Sequence, residues 1–305
     1  MKVMQSHVPA MFALVLLLLS CPAASAWAQA PSTVEEQPAS PAAAPAKQDQ
    51  QPKEEPGIQD NSFLVEEAYN QEYGVVQHIQ TFQRFWKSRS WGYSYTNEWP
   101  LDAAPRHQLS YTISVMDLAT GNGSGIGDIA LNYRYQLIGS GETRVAFSPR
   151  FTVLVPTGDY RTGQGAGAPG YQGMLPVSWV HNERFVTHWN LGATITPSQK
   201  DPLGETANTY AVTAGQSVIY NVTRRVNVFL ETVWVSTENV VAAGKTERAN
   251  AVFLNPAVRW AYNFKNGTQI VPGLGIPVGV GPSQGEWGIF AYFSVEHPFT
   301  RARNK

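Results

Sequence analysis

Arg134, Arg144 and Arg150 are the residues whose type and spacing most suggest chemistry. Successive side chains of an extended chain point to opposite faces. On that alternation the three guanidiniums project to one side of two consecutive strands, with Gln136 and Ser148 beside them. A row of cations could guide carboxylates or phenolates by weak, replaceable contacts. The plainer alternative also stays open. Buried charges are normally paired, and inward acids such as Glu98, Glu231 or Glu296 could neutralise the row and fill the interior. Arg259 falls on the polar side of its own strand and joins Glu98 and Glu231 as a candidate lining residue. Asp159 and Arg161, in the Gly-rich stretch 156–170, could form an entry or cation site; solvated loop charges are the alternative.

Nucleophilic chemistry finds less support. His188 with Asn190, and His78 with nearby serines, are the only candidates for a hydrolase at a lipid surface. No His-x-Ser spacing occurs, since Ser110 stands three places after His107. We therefore assign no catalytic residue and read the chain as a non-enzyme. Cys21 is the only cysteine, which excludes an intramolecular disulfide and a cysteine metal site, and no metal or other cofactor is expected. Its context, Leu18-Leu19-Ser20-Cys21, only loosely matches a lipidation box. Gly121–Gly127 has neither the spacing nor the following helix of a nucleotide loop. The 22 Lys+Arg against 23 Asp+Glu argue against a nucleic-acid partner.

Strands must position these residues. In 107–117, Leu109, Tyr111, Ile113 and Val115 alternate with Gln108, Ser110, Thr112 and Ser114, giving one greasy and one wet face. The pattern recurs and predicts about twelve strands, near 74–85, 91–99, 107–116, 128–138, 142–155 and 171–181, then 184–196, 208–220, 224–237, 248–262, 267–277 and 286–297. Connectors at 139–141, 182–183, 221–223 and 263–266 read as tight turns; those at 117–127, 156–170, 197–207, 238–247 and 278–285 read as long loops. Alternating short and long connectors, an even strand count and both ends on the short-turn side predict an all-β, antiparallel transmembrane barrel of about 12 strands. Its greasy face meets outer-membrane lipid and its wet face a lumen. A charge turned to lipid costs about 2–4 kcal/mol at the midplane, so the arginines belong inside. Pro149, Pro176, Pro256 and Pro272 mark bulges, barrel ends or shifted boundaries. Strands 226–236 and 288–296 are apolar on both faces, which makes part of the lumen packed rather than open.

The N-terminus supplies the address. Lys2, the apolar run Met11–Leu19 and Ala26-Trp27-Ala28 form a signal peptide over 1–28. Residues 29–60, rich in Pro, Ala, Gln and Glu, read as a disordered leader, and 61–305 as the barrel. Aromatic residues make up 11% of the chain, which suits the interfaces of a membrane protein. The terminal series Ile289, Ala291, Phe293, Val295 and Phe299 resembles the signal read by bacterial barrel-assembly machinery, although the chain runs on to Lys305.

The run Gly125-Ile126-Gly127-Asp128-Ile129-Ala130-Leu131-Asn132-Tyr133-Arg134-Tyr135, then Phe147-Ser148-Pro149-Arg150 and Val155-Pro156-Thr157-Gly158-Asp159, and later Asn190-Leu191-Gly192, resembles a family of outer-membrane transporters of the meta-pathway of phenol degradation. The resemblance covers roughly 75–299. It implies a barrel that passes small, often aromatic molecules. The expected function is passive uptake or efflux of small hydrophobic or weakly anionic solutes. The alternatives are a structural or envelope-interaction barrel and a lipid-hydrolysing outer-membrane enzyme.

Overall fold

A computed structural model describes residues 58–299 of the chain, apart from 102, 103 and 105. The expected signal peptide over 1–28, nearly all of the expected leader over 29–60, and 300–305 lie outside the described residues. Twelve antiparallel strands close into a barrel. They are β1 (Val75–Phe85), β2 (Trp91–Pro100), β3 (His107–Asp117), β4 (Gly125–Ile126 and Ile129–Tyr135), β5 (Val145–Phe147 and Arg150–Val155) and β6 (Gly170–Val180). β7 (Phe185–Lys200), β8 (Thr206–Thr223), β9 (Val226–Ala242), β10 (Lys245–Trp260), β11 (Gln269–Gly275 and Val278–Gly279) and β12 (Gly288–Pro298) follow. The seam is continuous, with β1 paired to β12 from Val75↔Pro298 to Phe85↔Gly288.

The alternation predicted for these segments sets which side chain faces where. In β9, Val228, Leu230 and Trp234 are exposed on the outside, while Asn227, Phe229, Glu231 and Val233 are buried inside. Exposed apolar residues recur all round the exterior, Leu109, Leu131, Phe151, Leu175, Leu191 and Leu274 among them. A surface so apolar suits a bilayer and would aggregate in water. Trp99, Tyr133, Trp179, Phe185, Tyr262 and Phe264 girdle the terminal rim, at which β1 begins and β12 ends. Trp86, Tyr171, Tyr210 and Trp287 mark the far rim. Amphipathic rings at two levels are the interface anchors of a membrane barrel.

The strands differ from expectation at the far rim. The stretches 197–207 and 238–247 were expected as long loops, but they are mostly strand. β9 and β10 stay paired up to Ala242↔Lys245, and β7 and β8 up to Lys200↔Thr206. This sector stands above the rest of the wall. Glu238 lies opposite Arg248, and their side chains meet at 2.7 Å. Beyond the bilayer a strand needs no apolar face, so its polar sequence looked like loop. Open connectors remain at 118–124, 156–169 and 280–287. Pro149 sits in the break between the two parts of β5. Pro256 lies where the β10–β11 ladder is interrupted between Leu254↔Val278 and Ala257↔Gly275.

Residues 58–74 do not extend the sheet. They turn into the lumen before β1 begins, so Ile58, Gln59 and Asp60 belong to the folded part rather than to a loose leader; Asp60 is 0% exposed. The outward orientation predicts that Leu131→Arg, in the middle of the apolar band, costs about 2–4 kcal/mol. Urea unfolding of the protein inserted in lipid vesicles measures this.

Candidate functional site

An extended segment inside a barrel cannot use the sheet to satisfy its backbone, so every amide it buries needs a side-chain partner. The inward polar residues supply those partners. Residues 58–74 form an arch that rises from the terminal rim and returns to it. On the rising limb, Arg259 donates to the carbonyls of Asp60, at 2.8 Å, and Asn61. The Glu231 carboxylate accepts from the amides of Leu64 (2.7 Å) and Val65 (3.0 Å), and from Asn255 Nδ2 at 2.7 Å. Near the top, Asn190 accepts from the Glu66 amide and donates to the Glu66 carbonyl, at 2.7 and 2.9 Å. On the falling limb, Ser178 Oγ accepts from the Ala68 amide at 2.8 Å. Gln136 donates to the Ala68 carbonyl at 2.8 Å and accepts from the Asn70 amide at 2.9 Å. Gln108 accepts from the Gln71 amide at 2.7 Å.

The arch also contributes charge. The Glu66 carboxylate bridges Arg134, at 3.0 Å, and Arg150. Arg134 further donates to the Tyr69 carbonyl at 2.9 Å, and Arg150 to Asn132 Oδ1 at 2.8 Å. Apolar residues complete the fit. Phe63 stacks on Phe290 and Tyr292 and meets Phe229 edge-on at 4.9 Å. Val65 packs with Ala211, Val233 and Val235. Two strand glycines leave the room: a Cβ on Gly273 would collide with the Phe63 ring, and one on Gly215 would lie 3.0 Å from Val65 Cγ2.

The expected lining residues therefore have defined places. Arg134, Arg150, Gln136, Glu231 and Arg259 face inward and hold the arch. Glu98 is buried and accepts from Gln108 Nε2 at 2.5 Å. Ser148 is buried, and its hydroxyl has no hydrogen-bond partner among the described residues. Arg144 departs from the row. The alternation that would place it inside ends with β5, and it stands exposed at the terminal rim, donating to the carbonyls of Val180 and His181 at 3.5 and 3.2 Å. The direct ion pairs of Arg134 and Arg150 are with Glu66 of the arch, and the strand acid Glu98, one of the expected partners, adds its charge close by. Asp159 accepts from the Arg161 amide at 2.9 Å and pairs with its guanidinium at 3.5 Å, both exposed.

Of the two histidines, His188 Nδ1 lies 2.7 Å from Ser178 Oγ, but both are buried inside the barrel and neither faces its lipid-side surface. His78 contacts Tyr95, Asn97 and His297. Among the described residues no group of three or more metal-ligating side chains occurs.

Spaces remain around the arch, and one of about 190 Å³ lies at the terminal rim between Asp60, Glu67, Tyr69, His188 and Arg259. A cavity of about 120 Å³ lies between residues 61–66 and the wall of β1–β5, with Glu98, Arg134 and Arg150 on its surface. A larger chamber of about 330 Å³ lies toward the far rim, under the 156–169 connector. Asp128 borders both. Its two carboxylate oxygens accept from the Gly158 and Ala166 amides, at 2.9 and 2.8 Å, and so tie that connector inward.

A closed twelve-strand wall, an apolar exterior between aromatic girdles and a polar interior define a transmembrane β-barrel of the outer-membrane type. The chain belongs to the family described as "Putative MetA-pathway of phenol degradation", whose sequence pattern matches residues 55–291. The COG4313 outer membrane channel from Pseudomonas putida F1 shares the fold, with a TM-score of 0.58 at 12% identity over 75% of this chain and 97% of that one. The NanC porin superimposes more loosely, with a TM-score of 0.48 at 10% identity over 72% and 98%. The toluene transporter TodX of P. putida does so at 0.32 and 11% identity, over 74% and 89%. No curated protein matches the chain by sequence.

Glu66→Gln would remove the direct ion-pair partner of two buried guanidiniums, and breaking a buried pair costs about 3–5 kcal/mol. The expected outcome is release of the arch with the barrel intact. Proteolysis of residues 58–74 should begin, while the gel shift between heated and unheated protein persists. Protection equal to that of the parent would show that the pair does not hold the arch.

Proposed function

We propose that this barrel passes small hydrophobic or weakly anionic solutes, aromatic ones included, across the outer membrane, and that it does not act as an enzyme. Family membership supports the transport reading, and one observation carries it: Asp128 lines both the far-rim chamber and the cavity beside the arch, so the two spaces are neighbours within the lumen. Residues 58–74 occupy the lumen beside and below them. Side chains hold those residues, with no strand pairing, so they can leave without opening the wall.

On this reading Arg134 and Arg150 have two successive roles. With the arch seated they neutralise Glu66. With the arch displaced they face the lumen as two cations on neighbouring strands, free to meet a passing carboxylate or phenolate. Gln136, Ser148, Glu98, Glu231 and Arg259 become polar lining at the same moment. Arg144 stays at the rim and takes no part.

Proteoliposomes test this. The full mature chain should raise the flux of phenol and benzamide above that of empty liposomes, and deletion of residues 58–72 should raise it further. Replacing both Arg134 and Arg150 by Gln in the deletion variant should reduce anion selectivity. No flux from the deletion variant would favour a purely structural barrel. That outcome would overturn the proposal.

A further inference from the structure

The far-rim chamber has a chemistry that transport alone does not require. Its walls are the connector 118–124, the connector 156–169 and the protruding ends of β7, β8 and β9. Leu118, Leu154 and Ala211 are buried and give it an apolar lining, and the Tyr160 ring closes one side. Four charged groups border it: Asp128, Arg161, Lys200 and Asp201.

Three of the four are already engaged. Asp128 accepts from two backbone amides, and Asp201 accepts from the amides of Leu203 and Glu205 at 2.9 and 2.8 Å. Arg161 pairs with Asp159. Lys200 is different. Its Nζ lies 5.0 Å from the centre of the Tyr160 ring, and no carboxylate among the described residues pairs with it. Nor is it a loose surface lysine. Its amide donates to the Ala166 carbonyl at 2.9 Å, and its stem packs so close to Gly167 that a Cβ there would lie 3.0 Å from Lys200 Cδ. A half-buried ammonium, held in place over a ring at the edge of an apolar chamber, lacks only an anion.

We propose that this chamber is a binding site for a small aromatic carboxylate, with the ring against Leu118, Leu154 and Tyr160 and the carboxylate on Nζ of Lys200. The proposal rests on the transport reading for its purpose, as the site at which solute is collected before it reaches the arch. Its geometry does not depend on that reading. A neutral aromatic would fill the same space without using the lysine, so charge, not shape, is what the site selects.

Equilibrium dialysis of the full mature chain in detergent, with labelled benzoate and with its neutral analogue benzamide, tests this. Benzoate should bind saturably. Lys200→Met should weaken it about tenfold, equivalent to about 1.4 kcal/mol, and leave benzamide unchanged. Lys200→Arg should retain most of the benzoate affinity. Lys200 lies at the rim, where its charge meets the Tyr160 ring and no carboxylate among the described residues, and the heated-versus-unheated gel shift checks that the variants are folded. Absence of saturable benzoate binding, or equal loss of both ligands in Lys200→Met, overturns the site. Benzamide flux through proteoliposomes keeps the two readings apart. Flux without lysine-dependent binding leaves transport standing and removes this site; lysine-dependent binding without flux does the reverse.

Discussion

A lone extended backbone in the middle of a barrel is an expensive object. Each buried amide or carbonyl left without a partner costs about 1–3 kcal/mol, and there is no neighbouring strand to pair with. Residues 58–74 meet that demand with side chains from six strands and one connector: Gln108 on β3, Arg134 on β4 and Gln136 just after it, Ser178 on β6, Asn190 on β7, Glu231 on β9 and Arg259 on β10. The inward polar face of the barrel is thus a receptor for its own N-terminal segment. Most other features follow from this. The apolar patches inside β9 and β12 receive Phe63, Gly273 and Gly215 clear space for the arch, and Glu66 balances two arginines that would otherwise be buried unpaired.

This arrangement separates the wall from what occupies it. Strand pairing holds the wall, and it is continuous across the β1–β12 seam. Charge-assisted hydrogen bonds and one aromatic cluster hold the arch. The first depends on lipid outside; the second depends on charge balance inside. A change in one can leave the other intact, which is what a channel needs if its contents are to move while its frame does not.

The strands were legible because lipid on one side and a polar lumen on the other impose a period of two along every segment that crosses the bilayer. All twelve appear where that period predicts them. Where lipid ends, so does the pattern. The tall ends of β7–β10 lose the strict two-sided alternation and read as loops, and the alternation that would turn Arg144 inward stops with its strand. The arch was not legible at all. Asn61-Ser62-Phe63-Leu64-Val65-Glu66-Glu67-Ala68-Tyr69 has no period, and its shape is set by hydrogen-bond partners on the wall 65 to 198 positions away. One trace of it was present: β9 and β12, apolar on both faces, had nothing in the sequence pattern to pack against. Glu66 was missed because a carboxylate outside every strand gives no reason to pair it with Arg134 and Arg150.

Asp60 has a consequence for the seam. Its carboxylate accepts from Tyr292 (2.5 Å) and Ser294 (2.6 Å) on the last strand and from Gln77 (2.8 Å) on the first. One residue therefore clasps both edges of the sheet at the place where it must join. With the arch displaced, Tyr292 and Ser294 lose this acceptor, while Gln77 keeps Glu296 and the ladder from Val75↔Pro298 to Phe85↔Gly288 still joins the two strands. A seated arch therefore reinforces a seam that the backbone already closes.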